Sequence, residues 1–172
     1  MKKIIFIALA VISVSCNTAT PEKYFDVSVL NTNMLSGFAG QGFARELESP
    51  SATMAPGSNQ LTQMSREQVI KDKIEFSETT LAKIKALRQT PETEKMLKTS
   101  IALYEYILPV CKKEYMDLAK DYDESGVSEK TSQQLENINR KYFKGFQQLM
   151  EQLIQIGKDY ASKNSIPVNW GR

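Results

Sequence analysis

The chain contains 172 residues, of which 41% are hydrophobic and 24% are charged, so its composition is that of an ordinary globular protein with room for one domain. Its 22 basic and 20 acidic residues nearly balance, which excludes the strongly basic surface of a general nucleic-acid-binding protein. The absence of histidine also excludes serine-histidine and cysteine-histidine catalysis, zinc sites built on histidine, and histidine-ligated haem.

Residues 1–15 have the pattern of a bacterial signal peptide. Two lysines in residues 1–3 form a short positive segment, and residues 4–14 form an apolar run that is too short to span a membrane. We therefore expect residues 1–15 to be removed during export.

Cys16 directly follows this segment and is the expected lipidation site. The small residue Ser15 followed by Cys16 resembles the lipobox of bacterial lipoproteins, whose cysteine receives palmitate-type acyl chains and becomes the mature N-terminus. The resemblance covers residues 1–16 and implies a lipid anchor followed by a short tether over residues 16–20. Because Asn17 is not the aspartate that retains many lipoproteins at the inner membrane, the resemblance favours the outer membrane. The alternative is an ordinary signal peptide cut elsewhere.

Residues 21–46 are predicted to form a first helix. The pair Thr20–Pro21 supplies an N-cap and a proline for the first turn, and apolar residues recur at helical spacing from Tyr24 onward. Three glycines within residues 37–42 weaken this helix, or allow a close helix contact. Residues 47–64 are rich in Ser, Thr, Pro and Gly, and predict a linker loop without structure of its own.

Three further helices are predicted within residues 65–164, the expected bundle core. Ser65 begins the first of them, over about 65–88, through a capping-box pattern. The next two helices carry sustained heptad stripes, as in coiled coils, which place their apolar residues on one face. The stripes are Leu97, Ile101, Tyr104, Leu108, Cys111, Tyr115, Leu118 and Tyr122, then Leu135, Ile138, Tyr142, Phe146, Leu149, Leu153, Ile156 and Tyr160.

These patterns predict an all-α fold. We interpret it as a four-helix bundle that includes residues 21–46, and the alternative is a three-helix bundle on a flexible N-terminal tether. Residues 165–172 are expected to form a C-terminal tail, because Pro167 prevents the last helix from continuing.

Pro109 and Cys111 lie within the second helix of this core. Pro109 cannot donate to the carbonyl of Glu105, so we expect a kink there. The kink either bends the helix around the bundle or opens a cavity beside Tyr104 and Cys111. We interpret Cys111 as a small buried hydrophobe, since the chain has no histidine to activate it as a nucleophile.

The connection after this helix resembles the first half of an EF-hand calcium loop. Residues 121–126 match the pattern D-x-D-x-S-G, but Ser132 stands where the loop needs a bidentate glutamate, so any affinity would be weak. The alternative interpretation is a solvated turn. The candidate ligands are Asp121, Asp123, Ser125, the carbonyl of Val127, and Glu129.

Three aromatic residues fall outside the core stripes. Tyr106 and Phe143 lie off the heptad positions of their helices, and Trp170 lies in the tail. Together they predict a partner-binding patch, because Trp and Tyr are frequent at binding hot spots. The alternative is that they pack over the ends of the bundle.

The sequence predicts a non-catalytic protein, because it contains no complete metal, phosphate or nucleophile motif. We expect a membrane-anchored lipoprotein of the bacterial cell envelope that acts as a binding or scaffolding module. Its expected partners are the membrane and another envelope protein, with no nucleic acid and no cofactor apart from the weak calcium site. The alternative function is binding of a small apolar ligand, or of calcium at residues 121–129.

Overall fold

The computed structural model of the chain describes residues 19–54, 57 and 59–170. The predicted signal peptide, Cys16 and the end of the predicted tail lie outside these residues. Helices make up most of the described chain, and its strands are confined to one short hairpin, so the all-α prediction is confirmed. Among the described helices, none is both long and apolar enough to cross a membrane.

The predicted core forms four α-helices and one π-helical turn. The side chain of Ser65 accepts a hydrogen bond from the amide of Gln68 and begins α3, as predicted. Ser128 and Thr131 form a reciprocal capping box at the start of the last helix. The elements are α3, Arg66–Ala86; α4, Glu94–Val110; the π turn, Cys111–Tyr115; α5, Met116–Ser125; and α6, Glu129–Lys163.

The segment from α4 through the π turn to α5 is one continuous helical unit, and it runs opposite to α3 and α6, so the core helices meet at two poles. At one pole, the backbone amide of Arg66 at the start of α3 donates to Asp123 near the end of α5, at 2.9 Å. At the other pole, Lys163 at the end of α6 is paired with Glu92, just before α4, at 3.2 Å. The hydroxyl of Tyr24 donates to the carbonyl of Arg88 at 2.7 Å, so the first helix also begins near this second pole. We call the second one the N-terminal pole.

Pro109 lies on the exposed side of α4, directly before the π turn. The missing amide of Pro109 leaves the carbonyl of Glu105 without its helical donor, and a wider turn close to the proline is one way for a helix to accommodate this loss. Tyr104, Leu108 and Cys111 are buried. The interruption predicted at Pro109 is therefore a local change of helix type within a packed stripe.

The structure corrects the single helix predicted over residues 21–46. The segment forms α1 (Pro21–Ser28), a 3₁₀ helix (Leu30–Leu35) and α2 (Gln41–Glu48). The break lies at Gly37, whose φ of +87° excludes helical geometry. A Cβ atom placed on Gly37 would lie 2.5 Å from the Cα atom of Gly42, so the two backbones touch where the chain reverses.

This N-terminal segment belongs to the hydrophobic core. Phe25, Phe38, Phe43 and Leu47 are each fully buried. The hydroxyl of Ser100 donates to the carbonyl of Ser28 at 2.8 Å, which ties α1 to α4. Residues 21–48 are therefore packed against the other helices, and the flexible tether considered as an alternative does not describe them.

The predicted linker over residues 47–64 is also corrected. After α2, strands β1 (Ala52–Met54) and β2 (Leu61–Gln63) pair in antiparallel register. The hairpin precedes α3 directly, so we call the end of the molecule that contains it the hairpin pole. The C-terminal tail is without regular structure up to residue 170, as predicted, but Ile166 and Val168 pack against the core.

Candidate functional site

A cavity of about 230 Å³ lies at the base of the hairpin. The 3₁₀ helix, α2, α3 and the base of the hairpin enclose it, because the break at Gly37 turns the 3₁₀ helix and α2 toward the first turns of α3. Its walls are Met34, Leu35, Met64, Val69 and Phe76 on the apolar side and Glu46, Ser51, Asp72 and Lys73 on the polar side.

Lys73 is the cation of this cavity and is already engaged. Its side chain is only 12% exposed, and its ammonium lies 2.7 Å from the carboxylate of Glu46 and 4.2 Å from the ring centre of Phe43. Asp72 lines the same cavity, and its carboxylate accepts a hydrogen bond from the side chain of Gln68 at 2.6 Å. The lining therefore holds one cation, Lys73, and two carboxylates, Glu46 and Asp72, so the mouth of the cavity has a net negative charge.

Every residue of the two hairpin strands is exposed, including two large apolar side chains. Side chains alternate between the two faces of a strand, so Ser51 and Met64, which line the cavity, share one face with Thr53 and Thr62. The opposite face carries the cross-strand pair Met54 and Leu61, whose side chains are 63% and 73% exposed. Met54 and Leu61 therefore form an exposed apolar pair on one face of the hairpin.

Both outer edges of the hairpin present backbone groups to solvent. The amide of Met64 donates to the carbonyl of Ser51 at 3.0 Å, so these opposed residues form a hydrogen-bonded pair. Because such pairs alternate along an antiparallel ladder, the amides and carbonyls of the flanking residues point outward. Among the described residues, no other element supplies backbone partners for these groups. They belong to Ala52 and Met54 on β1 and to Leu61 and Gln63 on β2.

The structure does not bring the three predicted partner-binding aromatics together. Tyr106 is half-buried, packs edge-on against Tyr142 and donates to the carbonyl of that residue at 3.2 Å. Phe143 is 47% exposed on α6. Trp170 packs edge-on against Phe25, beside the ammonium of Lys158.

The distance along α6 separates Phe143 from Trp170. Phe143 and Lys158 are fifteen positions apart in one continuous helix, which corresponds to about 22 Å. Trp170 lies beside Lys158, with its ring centre 5.7 Å from the ammonium. Phe143 and Trp170 therefore do not belong to one contiguous cluster, and the partner-binding role of the three aromatics stays a prediction.

The predicted calcium ligands have other partners. Asp121, Asp123 and Ser125 belong to α5, so a helix occupies the first half of the proposed loop. Asp121 accepts hydrogen bonds from Lys130 at 2.9 Å and Gln134 at 2.7 Å, and these bonds lower the pKa of its carboxyl group. Val127 is exposed and Glu129 begins α6.

Asp123 instead caps a neighbouring helix. Its two carboxylate oxygens accept the backbone amides of Arg66 and Glu67, at 2.9 and 3.0 Å, at the start of α3. No group of three acidic or cysteine side chains in the described part of the chain is arranged to hold a metal ion. The calcium site stays a hypothesis to which this geometry adds no support.

Cys111 and Glu114 are two groups whose surroundings set their protonation states. Burial raises the pKa of the Cys111 thiol to about 12, which keeps it protonated. Burial alone would raise the pKa of Glu114, but hydrogen bonds from Tyr142 and Lys141 outweigh it and lower the pKa. Glu114 is therefore an ionised, paired carboxylate that has no proton to donate at neutral pH.

A second cavity, of about 330 Å³, lies beside Trp170. The 3₁₀ helix, α6 and the tail enclose it, with apolar walls that include Leu30, Met150 and Ile154. Lys158 is the charged residue among its lining residues. The cavity therefore has a mixed lining, with apolar side chains, polar groups such as Thr32 and Asn33, and one cation.

The hairpin and its cavity were missed at the level of sequence. The available signal was the Pro56–Gly57 pair, which favours a turn between two short segments containing threonine. A second signal was that residues 49–65 contain no charged residue. Comparison with protein-family models, with curated proteins and with solved structures finds no match to this chain.

Proposed function

We propose that the protein is a membrane-anchored bacterial envelope lipoprotein that acts as a non-catalytic binding or scaffolding module. Its binding face would be the hairpin together with the cavity at its base. The observation that carries this proposal is the exposed hairpin, which bears the apolar pair Met54 and Leu61 and whose base lines a cavity with apolar walls. Exposed apolar surface of this kind is typical of a contact with a partner.

The anchor in this proposal is Cys16, followed by a very short tether. Ala19 already packs against the core and α1 begins at Pro21. The few residues between Cys16 and Pro21 would span at most about 18 Å when extended. The N-terminal pole would therefore lie close to the membrane, and we propose the outer membrane as its location.

The helical body would act as a rigid spacer. We propose that it is a four-helix bundle in which residues 21–48 replace one continuous helix by three short ones. The 21 residues of α3 extend about 31 Å from the hairpin toward the N-terminal pole. The hairpin would then face away from the anchoring membrane, toward other proteins of the envelope.

The test is site-specific photo-crosslinking of the full, lipidated chain in its native membrane. A photoreactive amino acid at Leu61 is expected to form an adduct with a protein partner, and the same group at Phe143 or Trp170 is not. All three side chains are exposed, so they are matched controls for accessibility. Adducts from Phe143 or Trp170 without any from Leu61 would move the binding face away from the hairpin.

A second candidate function is binding of a small apolar ligand beside Trp170. The cavity of about 330 Å³ is within the usual size range for ligand sites, and Lys158 favours a ligand with one anionic group. Trp170 is the sole tryptophan of the chain and serves as the reporter. A fatty acid is expected to change its fluorescence saturably, and Lys158→Gln should weaken the effect. Unchanged fluorescence would remove this candidate.

A further inference from the structure

We infer that the binding face takes an extended segment of a partner protein, which adds a strand to the hairpin and places one apolar side chain in the cavity. The inference rests on the proposed function, because it assumes that the hairpin and cavity form the contact with a partner. The partner would bind by backbone pairing with the hairpin, and it would supply one apolar side chain and a basic residue.

The outward-facing backbone groups of the hairpin point to a strand as the occupant. Ala52 and Met54 on β1, and Leu61 and Gln63 on β2, direct amides and carbonyls away from the ladder. Another extended backbone is the structure whose donors and acceptors recur at the same spacing. A two-stranded hairpin is also marginally stable in water, so a third strand would stabilise it.

The hairpin lacks the features that normally prevent strand addition. Natural edge strands are commonly protected by charged side chains, especially lysine. Residues 49–65 contain no charged residue, and every residue of β1 and β2 is exposed. The edges of this hairpin are therefore accessible to an added strand.

The size of the cavity favours a side chain over a free small molecule. A volume of about 230 Å³ is below the range typical of small-ligand sites and is large enough for one leucine or phenylalanine side chain. Ser51 and Met64 belong both to the hairpin base and to the cavity wall. A strand paired along the hairpin would pass close to the mouth, and flexible walls such as Met34 and Met64 adapt to different side chains.

The charges at the mouth favour a basic residue in the partner segment. Lys73 is paired with Glu46 at 2.7 Å, whereas the carboxylate of Asp72 accepts a hydrogen bond from the neutral side chain of Gln68 at 2.6 Å. A second copy of the hairpin would bring no cation to Asp72, because residues 49–65 are uncharged. Strands of three residues would also bury far less than the roughly 1,200 Å² of a stable dimer interface.

The experiment uses a phage-displayed library of random linear peptides, selected against the detergent-solubilised full chain. Selected peptides are expected to alternate apolar and polar residues and to carry Lys or Arg. Ala52→Pro and Gln63→Pro each remove one outward amide, on β1 and β2 respectively. One of them should weaken binding about tenfold, the effect of losing one hydrogen bond. Asp72→Asn should weaken only the peptides that contain a basic residue.

Matched variants separate the lost amide from a damaged hairpin. Ala52→Ser and Gln63→Thr change the same side chains but keep the amides, and they should bind as wild type does. Hydrogen exchange at Thr53 and Thr62, which form the inner pair of the ladder, should stay unchanged in the proline variants. Unchanged exchange would show that the proline variants keep the hairpin.

Three outcomes would overturn the inference. If Leu61→Asp abolishes peptide binding while neither proline variant affects it, the hairpin binds partners but not by strand addition, and the proposed function stands. If no hairpin substitution changes the binding of the selected peptides, both strand addition and the proposed function are refuted. Sedimentation that detects a dimer of the wild type but not of Ala52→Pro would identify a second copy as the occupant.

Discussion

At the scale of single residues, the contact between Gly37 and Gly42 determines the path of the N-terminal segment. Gly37 has a φ of +87°, and a Cβ atom there would lie 2.5 Å from the Cα atom of Gly42. Alanine at Gly37 would therefore strain the backbone and displace the start of α2, which forms one wall of the cavity.

We expect Gly37→Ala to lower the free energy of unfolding by more than Gly57→Ala does. Gly57 also has a positive φ, +74°, but no described atom lies within 4 Å of the position of its Cβ. Gly57→Ala should cost about 1–2 kcal/mol from its φ alone, and Gly37→Ala a further 1–3 kcal/mol or so from the steric contact. Urea denaturation measures both values. Equal losses would contradict a steric role for the contact.

Cys111 gives a prediction for the pH dependence of stability. Its thiol has a pKa raised from 9.0 to about 12 by burial. Between these values the unfolded chain has lost the proton and the folded chain still holds it, so the free energy of unfolding falls as the pH rises. The slope from this group approaches about 1.4 kcal/mol per pH unit.

The variant Cys111→Val isolates this contribution. It removes the titrating thiol and nearly keeps the volume, so its stability should fall less than that of the wild type between about pH 8 and about pH 10.5, by roughly 2 kcal/mol. Burial also raises the pKa of Tyr104 and Tyr115, so some loss should remain in the variant. Parallel curves for the two proteins would show that Cys111 is not buried in solution.

At the scale of elements, Asp123 links the end of α5 to the start of α3. Its carboxylate accepts two backbone amides of α3, whereas Asp121 makes surface bonds to Lys130 and Gln134. We expect Asp123→Ala to lower the free energy of unfolding by about 1–2 kcal/mol through loss of the cap. Asp121→Ala should cost less than Asp123→Ala, because its bonds are those of an exposed surface pair.

The same denaturation experiment, repeated with calcium, tests the predicted calcium site. Adding calcium at roughly millimolar concentration should leave the stability of the wild type unchanged, because Asp121 and Asp123 are engaged with different elements. A stabilisation by calcium that disappears in both alanine variants would restore the calcium site.

The core helices were predictable because their signals are local. Heptad spacing and the caps at Ser65 and Ser128 depend on residues within one helix, and most stripe positions, such as Tyr115 and Leu153, are buried. The break at Gly37 depends on a contact between two backbone segments, which spacing along the sequence does not report. The hairpin was missed because strands of three residues are too short to show an alternating pattern. The binding face is built from these two features, so the candidate site was not predictable.

At the scale of the whole molecule, the order of the elements places the start of the described chain and the hairpin at opposite ends. The described chain begins at the N-terminal pole, where Glu92 and Lys163 are paired. It passes along the bundle to the hairpin pole, where Arg66 and Asp123 meet. The proposed anchor before Pro21 and the proposed binding face on β1 and β2 would therefore lie at opposite ends of the molecule.

Cys16 is the proposed site of the membrane anchor. Cys16→Ala should abolish labelling of the protein with radioactive palmitate and release it from the membrane fraction, because acyl chains on this residue would supply the membrane affinity. The chain contains one other cysteine, Cys111, which is buried, so Cys111→Val is the matched control and should keep both the label and the membrane location. Both variants should melt near the wild-type temperature if lipidation does not contribute to the fold. Retention of the Cys16→Ala protein in the membrane without any acyl label would show that a different segment anchors the chain, and the orientation proposed for the hairpin would then have to be measured independently.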